Sequence, residues 1–313
     1  MNSFYHGWRN EGLLFEIKGQ NGWMNSHAQV PTVLVNNNDF IRVYFATRPK
    51  QELSLTTFVD LSLLDFSQIY LHPEPILPLG SSGMFDEHGI MPSSVLEKDG
   101  KIYLYYSGWS RSNSLPYSNF TGLAISDDGG RSFKKVGPGP IIDRTYWGPY
   151  SATSPHVMIV NDIWYMFYCS GVDWVEINGK LEHTYDIKIA DSHNGVDWRQ
   201  LGKVAINQKD RYEAITRPTV YHDGNRFHML FCYRGSESFR GGVNSYKIGY
   251  ASSHDLIKWD RADEEFPMIK SETGWDLNMS AYPCVHKIGG KLFLFYNGSD
   301  FGRQGFGAMV KNL

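Results

Sequence analysis

The sequence predicts an all-β fold: a five-bladed β-propeller with four-stranded antiparallel blades and a ring closed by an N-terminal strand. Three observations predict it: a recurring hairpin, a nearly constant spacing between its copies, and one unassigned strand near the N-terminus. The clearest copy runs from Glu213 to Gly235 and has a short turn, His222–Asn225, between two apolar strands. Apolar strands around a turn that contains Asp-Gly are a strong hairpin signal.

The copies align on a proline in the first strand of each hairpin. These residues are Pro31, Pro92, Pro155, Pro218 and Pro283, at spacings of 61, 63, 63 and 65 residues. A repeat of fixed length indicates supersecondary units that bury their apolar faces by stacking on their neighbours. Five such repeats occupy the whole chain of 313 residues, so we expect one domain over residues 1–313.

Each full repeat is predicted to be a four-stranded meander. The hairpin is followed by a third strand, a Ser-x-Asp/Asn turn whose side chains bond backbone amides, and a fourth strand near an aromatic residue. The predicted elements are Gly12–Lys18; Val30–Val35, Ile41–Ala46, Leu53–Val59 and Ser67–Leu71; Thr121–Ile125, Ser126–Gly130 and Phe133; Ile187–Ala190, Ser192–Gly195 and Trp198; Lys247–Ala251, Ser253–Asp255 and Trp259; and Cys284–Ile288, Leu292–Tyr296 and Phe306–Val310. Repeat five is one strand short, and Gly12–Lys18 is expected to supply that strand and remove the exposed edge.

Composition excludes several classes of function. Hydrophobic residues make up 42% and aromatic residues 15% of the chain, which excludes disorder, and the net charge of -3 gives no basic surface for nucleic acid or a membrane.

No apolar run is long enough to span a bilayer and the first residues do not read as a secretory signal, so we expect a cytoplasmic location. The three cysteines lie within predicted strands and are expected to be small core residues without a disulfide framework. Neither a metal nor another cofactor is predicted, and the sequence indicates no oligomeric state.

Several motifs resemble those of the five-bladed propeller glycosidases, which include glycoside hydrolase families 32, 43, 68, 117 and 130. They are the hairpin MPSSVLEKDGKIYLYYSG, the turns SDDGGRSF, SHNGVDW and SHDLIKW, and the opening Gly22-Trp23-Met24-Asn25, which looks like the start of the family 32 nucleophile motif. The resemblance covers essentially the full chain. It implies one pocket on the ring axis, bordered by residues just before each repeat proline and just after each second strand.

Ionisable residues are concentrated at these positions. The first set contains His27, Gln29, Asp86, Glu87, His88, Tyr150, Ser151, Glu213, Arg217, Asp276 and Asn278, and the second contains Arg48, Trp109, Asp173, Arg234 and Asp300. Glycoside hydrolysis uses two carboxyl groups, one as an acid and one as a base or nucleophile. By its position Glu213 resembles the general acid of family 43, and Asp86, Glu87 or Asp276 could be its partner. Repeat one departs from the family, because Ala28-Gln29-Val30 precedes Pro31 where the relatives carry an aspartate.

The predicted substrate-binding residues are His27, Arg48, His88, Trp109, Arg217, Arg234, Asn278 and Asp300. Arg48 and Arg234 could clamp a carboxylate or phosphate on the substrate, and tryptophans such as Trp109 could stack on sugars. Structural roles are the alternatives: Glu213 could pair with Arg217 or Arg234, Asp86 could cap a turn, and the histidines could be hydrogen-bonded residues rather than metal ligands.

The function expected from these features is hydrolysis of a small oligosaccharide or glycoside in the central pocket. Two alternatives stay open: a carbohydrate-binding propeller without hydrolysis, and a sugar-transferring or phosphorolytic enzyme in which Arg48 or Arg234 holds phosphate. The missing carboxylate of repeat one disfavours a two-carboxylate hydrolase. The acids on repeats two, four and five disfavour a protein that only binds.

Overall fold

A computed structural model describes residues 4, 6–35, 39–49, 53–266 and 268–313. The strands are β1 (Arg9–Glu16), β2 (Ser26–Val35), β3 (Phe40–Arg48), β4 (Leu55–Ser62), β5 (Gln68–Leu71), β6 (Gly89–Lys98), β7 (Lys101–Ser110), β8 (Ser118–Ser126), β9 (Lys134–Lys135), β10 (Ala152–Val160), β11 (Ile163–Ile177), β12 (Lys180–Ser192), β13 (Arg199–Ile206), β14 (Ala214–His222), β15 (Phe227–Arg234), β16 (Lys247–Ser253), β17 (Asp260–Arg261), β18 (Ala281–Ile288), β19 (Lys291–Asn297) and β20 (Gly305–Asn312). Helical structure is limited in the described residues to Phe4, which has 3-10 geometry, a 3-10 turn, Asp263–Glu265, and a single turn, α1 (Ser299–Gly302). None of the described helices is long and apolar enough to cross a membrane. The all-β prediction is confirmed.

The strands pair antiparallel in five successive units of four. Units one to four are β2–β5, β6–β9, β10–β13 and β14–β17, and unit five is β18, β19, β20 and β1. The N-terminal strand pairs with β20 from Arg9 opposite Val310 to Glu16 opposite Gly305, so it is the fourth strand of unit five and begins three residues earlier than predicted. Short parallel bridges also join β8 to β10 and β12 to β14, which links units two, three and four into one continuous sheet.

The first strand of every unit is irregular at its proline. The pairing register with the second strand shifts there, for example between Pro92 and Ser94, because proline has no N–H to donate to the ladder. In four units the residue just before the proline has a positive φ; these residues are Val30, Ser154, Arg217 and Tyr282, with φ between 48° and 57°. This backbone region is unusual for residues other than glycine.

Side chains of the preceding unit hold this irregular backbone. Asn297 Oδ1 accepts a hydrogen bond from the Val30 amide at 2.7 Å, Ser107 Oγ accepts from Ser154 at 2.9 Å, and Cys232 Sγ accepts from Tyr282 at 3.4 Å. All three acceptors lie on second strands. A small side chain is needed at this seam, which explains why cysteines occur there. The three cysteines are free and buried, as predicted.

Each unit packs its sheet on the next through a hydrophobic cluster. Unit one packs on unit two around Phe58 and Leu104, and the same pattern continues through units three, four and five. A further cluster joins unit five to unit one, where Phe15 of β1 lies 5.2 Å from Phe45 and 5.5 Å from Phe306 between ring centroids. The units are therefore joined in a cycle, with the first strands innermost.

The Ser-x-Asp turns also form as predicted. Ser126 Oγ accepts hydrogen bonds from the amides of Asp128 and Gly130, and Asp128 Oδ1 accepts from Arg131 and Ser132. Equivalent bonds occur in the turns that begin at Ser192 and Ser253. One hairpin differs from the prediction, since β11 continues to Ile177 and places Asp173 inside the strand rather than after it.

Phe15→Ala should destabilise the protein by about 3 kcal/mol or more, because it opens a cavity between the first and last units. Urea unfolding monitored by circular dichroism measures this loss. Tyr146→Ala is the control, since this aromatic side chain is 91% exposed and should be replaceable at little cost. Equal stability of the two variants would show that the contact between units five and one contributes little.

Candidate functional site

A cavity of about 340 Å³ opens on the axis beside the residues that precede the repeat prolines. Five aromatic side chains border it, so we name it the aromatic pocket: Trp109, Tyr117, Tyr185, Tyr246 and Tyr282. Its other lining residues are Val30, Arg48, Met91, Ser107, Asn119, Thr153, Ser154, Cys169 and Thr216. All five units contribute to this wall.

The rings of the pocket support one another. The hydroxyl oxygens of Tyr117 and Tyr185 are 2.6 Å apart, and Trp174 stacks on His183 behind them at 4.1 Å between centroids. The long β11–β12 hairpin carries Trp174, His183 and Tyr185 to this position. Burial raises the pKa of Tyr117, so its hydroxyl keeps its proton and can act as a hydrogen-bond donor.

Arg48 brings a positive charge to the pocket wall. It lies at the end of β3, and its Nε donates to Gln29 Oε1 at 3.1 Å. Among the described residues no carboxylate forms a salt bridge with it. Burial, followed by the charge of Arg48, lowers the pKa of the neighbouring His27 to about 4, so this histidine is neutral at pH 7. His27 does not line the pocket, and its Nδ1 lies 2.8 Å from Ser26 Oγ.

Two of the predicted acids are buried inside their own units. The carboxylate of Asp86 accepts hydrogen bonds from Lys135 Nζ at 2.6 Å and from the Tyr106 hydroxyl at 3.1 Å. Asp276 occupies the matching place in unit five and accepts from the Tyr296 hydroxyl at 2.6 Å. These carboxylates hold the second-strand tyrosines and do not line the aromatic pocket.

Glu213 lines a second cavity of about 500 Å³, which we name the acidic pocket because Asp210 and Glu237 also border it. Its oxygens accept hydrogen bonds from Arg261 Nη1 and Nη2 at 2.9 and 2.7 Å and from the Lys209 amide at 2.7 Å. The ionic partner of Glu213 is thus Arg261, which lies on the fourth strand, β17. It is not Arg217 or Arg234. Sequence reasoning missed Arg261 because it is 48 residues away and outside the positions around the axis.

Glu87 and His88 lie behind Trp109, at the edge of the aromatic pocket. Glu87 Oε2 accepts from the Gly83 amide at 2.8 Å, and Oε1 is 3.4 Å from His88 Nδ1. The His88 ring lies 5.6 Å from the Trp109 ring, whose Nε1 donates to Ser54 Oγ at 2.8 Å. Glu87 is half-buried, and no lysine or arginine of the described chain forms a salt bridge with it.

The remaining predicted binding residues lie elsewhere. Arg234 is buried and lines the acidic pocket, donates to the carbonyls of Gly235 and His183, and stacks on Phe239 at 3.7 Å. Arg217 is buried on the axis and does not line the aromatic pocket. Asn278 and Asp300 are exposed and line neither pocket. Of the eight predicted binding residues, the structure places Arg48 and Trp109 in the wall of the aromatic pocket.

Sequence reasoning missed the four tyrosines of the aromatic pocket. Tyr117 and Tyr246 directly precede the third strands β8 and β16, and Tyr185 lies within the third strand β12. Third strands start at the face of the ring where second strands end. Counting from each repeat proline to the start of the third strand therefore identifies these tyrosines as pocket residues. Tyr282 directly precedes Pro283 and belongs to the positions that the repeat already marked.

Comparison with known structures defines the class of fold. A solved glycoside hydrolase superposes with a TM-score of 0.74 at 15% identity, covering 97% of this chain and 91% of that protein. A thermostable family-43 glycoside hydrolase gives a TM-score of 0.66 at 20% identity, covering 92% and 90%. The chain therefore has the β-propeller-like fold of these glycoside hydrolases, and the resemblance expected from its motifs is confirmed at the level of the fold.

Comparison of sequences gives the particular family. No protein-family profile matches the chain. It is 32% identical to the uncharacterized protein MT1551 of Mycobacterium tuberculosis over 305 residues, 97% of this chain and 98% of that protein. The chain belongs to the family of that mycobacterial protein. A sucrose-6-phosphate hydrolase of Bacillus subtilis is 29% identical over 128 residues, which are 41% of this chain and 24% of the hydrolase.

Arg261→Ala should lower the free energy of unfolding by about 3 kcal/mol, because it leaves the buried carboxylate of Glu213 without its ionic partner. Arg199→Ala is the matched control: its guanidinium also binds a carboxylate, Asp191, through two hydrogen bonds, but its side chain is 76% exposed. That variant should lose less than about 1 kcal/mol. Denaturant unfolding of both variants checks the difference, and similar losses would contradict a structural role for Glu213.

Proposed function

We propose that this protein is a glycan-active enzyme of the glycoside hydrolase type that binds a sugar in the aromatic pocket. In this proposal its five units are the blades of a five-bladed β-propeller, which is supported by the hydrophobic cluster that joins the last unit to the first. The single observation that carries the function is the ring-lined cavity of about 340 Å³ on the axis of this fold. Aromatic faces suit the C–H faces of sugars, and the hydroxyl and amide groups of Ser107, Thr153 and Asn119 can bond sugar hydroxyls.

The proposed carboxylates of the reaction are Glu87 and Glu213. Glu87 contacts His88, whose ring lies beside Trp109 of the pocket wall, and no described lysine or arginine forms a salt bridge with it. It is therefore the best candidate for delivering a proton to the leaving oxygen. Glu213 lies on the other side, in the acidic pocket, where Arg261 occupies both of its oxygens. Asp86 and Asp276 are proposed to be structural, because their hydrogen bonds are made within their own units.

Glu87→Gln should lower turnover of an unactivated glycoside by roughly 10² to 10⁴-fold while sugar binding is kept, because the amide cannot deliver a proton. The loss should be smaller for aryl glycosides with weakly basic leaving groups. Glu213→Gln should slow both kinds of substrate alike. Glu97→Gln is the control, since this glutamate is exposed on β6 of the same unit. Release of sugar measures turnover, with and without added phosphate so that phosphorolysis is also detected.

Full activity of the Glu87→Gln variant would show that another group is the acid. Activity that requires phosphate would favour the phosphorolytic alternative. If the wild-type protein binds sugar and no condition gives turnover, the hydrolase proposal is wrong.

A specific observation favours a second candidate function, carbohydrate binding without hydrolysis. No aspartate or glutamate occurs among the described residues that line the aromatic pocket. Repeat one also lacks a carboxylate before Pro31, where the glycosidases that the motifs resemble carry an aspartate. A protein of this kind would bind sugar against the aromatic wall and would have no hydrolytic activity.

We further propose that the sugar carries an anionic group, a phosphate or a carboxylate. Arg48 supports this proposal, because it reaches the pocket wall and the described chain offers it no carboxylate. Arginine matches both groups through charge-assisted hydrogen bonds. The partial similarity to a sucrose-6-phosphate hydrolase is consistent with a phosphorylated sugar.

Arg48→Ala should weaken binding of a sugar phosphate by roughly 10 to 100-fold and leave binding of the unphosphorylated sugar nearly unchanged, because only the anion uses the charge. Calorimetric titration with the two ligands measures this difference. Arg303→Ala is the control, since this arginine is exposed and outside the pocket wall. Equal losses for both ligands would mean that Arg48 supports the shape of the pocket and does not recognise a charge.

A further inference from the structure

The axis contains another cavity besides the aromatic pocket. This cavity, of about 250 Å³, lies on the other side of the repeat prolines. We name it the axial cavity. Its inner layer consists of the residue that follows each proline: Thr32, Ser93, His156, Thr219 and Cys284. The aromatic pocket is lined by four of the five residues that precede the prolines: Val30, Met91, Ser154 and Tyr282. The two cavities are therefore successive levels of one axis.

The charges that face the axial cavity are all positive. Arg217 and Lys287 are its cationic lining residues, and no aspartate or glutamate lines it within the described chain. The titratable lining residues are His156, His222, His286, Tyr221 and Cys284. A cavity with two cations, three histidines and no carboxylate favours an anion on electrostatic grounds.

Arg217 is the most constrained of these groups. Its side chain is 1% exposed and crosses the axis from unit four to units one and two. Nη1 donates a hydrogen bond to the Ser93 carbonyl. Nη2 donates to the Pro31 carbonyl at 3.2 Å and to Thr32 Oγ1 at 2.8 Å. Every acceptor is neutral, and the buried Nε has no partner in the described structure. A buried cation without an opposite charge is costly, and a bound anion would offset that cost.

We propose that the axial cavity binds a small inorganic anion, such as chloride or phosphate, held by Arg217, His156 and His286. Besides Arg217 Nε, the buried Nε2 of His156 has no partner. Thr219 Oγ1 accepts from the Val285 amide at 3.0 Å, which leaves its hydroxyl hydrogen free to donate. The anion would connect units three, four and five at their innermost strands, in addition to the bonds from Arg217 to units one and two.

The histidines give this site a pH dependence. Burial, followed by nearby positive charge, lowers the pKa of His156 to about 3 and that of His286 to about 4; the charge comes from His286 and Arg217 for His156 and from Arg217 for His286. A bound anion favours the protonated imidazole and raises these pKa values. Because binding then takes up protons, the anion should bind more tightly as the pH falls toward about 4, with Lys287, His222, Tyr221 and Cys284 as the other titratable groups that face it.

The experiment is thermal unfolding of the full chain at constant ionic strength, with sodium methanesulfonate replaced stepwise by sodium chloride or by sodium phosphate. At an anion concentration about 100 times its Kd, the unfolding temperature should rise by about 5 °C. Arg217→Met removes the charge at similar volume, and His286→Gln leaves Arg217 in place and serves if the first variant does not fold. Both variants should lose most of the rise.

Arg48→Ala separates this site from the proposed sugar pocket, because that residue faces the aromatic pocket alone. The rise should persist in this variant. No rise in the wild-type protein with either anion would overturn the proposal. A rise that survives His286→Gln and disappears in Arg48→Ala would also overturn it, since the anion would then bind in the aromatic pocket and only the proposed function would stand.

Discussion

The irregular backbone before each repeat proline is the constraint on which the rest of the structure depends. Proline cannot donate to the strand ladder, so each first strand bulges at this point and the preceding residue is turned toward the axis. The conformation is unfavourable for a valine or a tyrosine and persists only because the surroundings fix it. Asn297, Ser107 and Cys232 do so by bonding the backbone of the following unit.

Placing the bulges on the axis divides it into two levels with different chemistry. Residues before the prolines, together with the starts of the third strands, form an aromatic wall, which is the proposed sugar site. Residues after the prolines form a smaller cavity of hydroxyls and histidines, and Arg217, which precedes Pro218, also faces it. Because the same short segment of every unit contributes to both levels, a substitution near a proline can affect the proposed pocket and the packing of the ring together.

The distribution of charge differs from an arrangement in which two carboxylates line the pocket itself, because no aspartate or glutamate is among the described residues of that lining. Asp86, Asp276 and Glu213 accept hydrogen bonds from tyrosine, lysine or arginine partners, and none of them lines the aromatic pocket. Arg48, by contrast, reaches the pocket without a carboxylate. In low dielectric surroundings such unpaired cations attract anions strongly. The same logic underlies both proposals, the anionic sugar in the pocket and the small anion deeper on the axis.

The sequence by itself determined the all-β repeat, the unit boundaries, the Ser-x-Asp turns and the role of the N-terminal strand, because these depend on local patterns and a constant period. It also marked Arg48 and Trp109, whose distance from the proline is fixed along one hairpin. Only the tertiary structure decided that Glu213 is bound by Arg261 and that Tyr117, Tyr185 and Tyr246 meet around one pocket. Repeat spacing specifies the level of a residue along the axis, whereas the direction and partners of its side chain depend on strands that are far away in the chain.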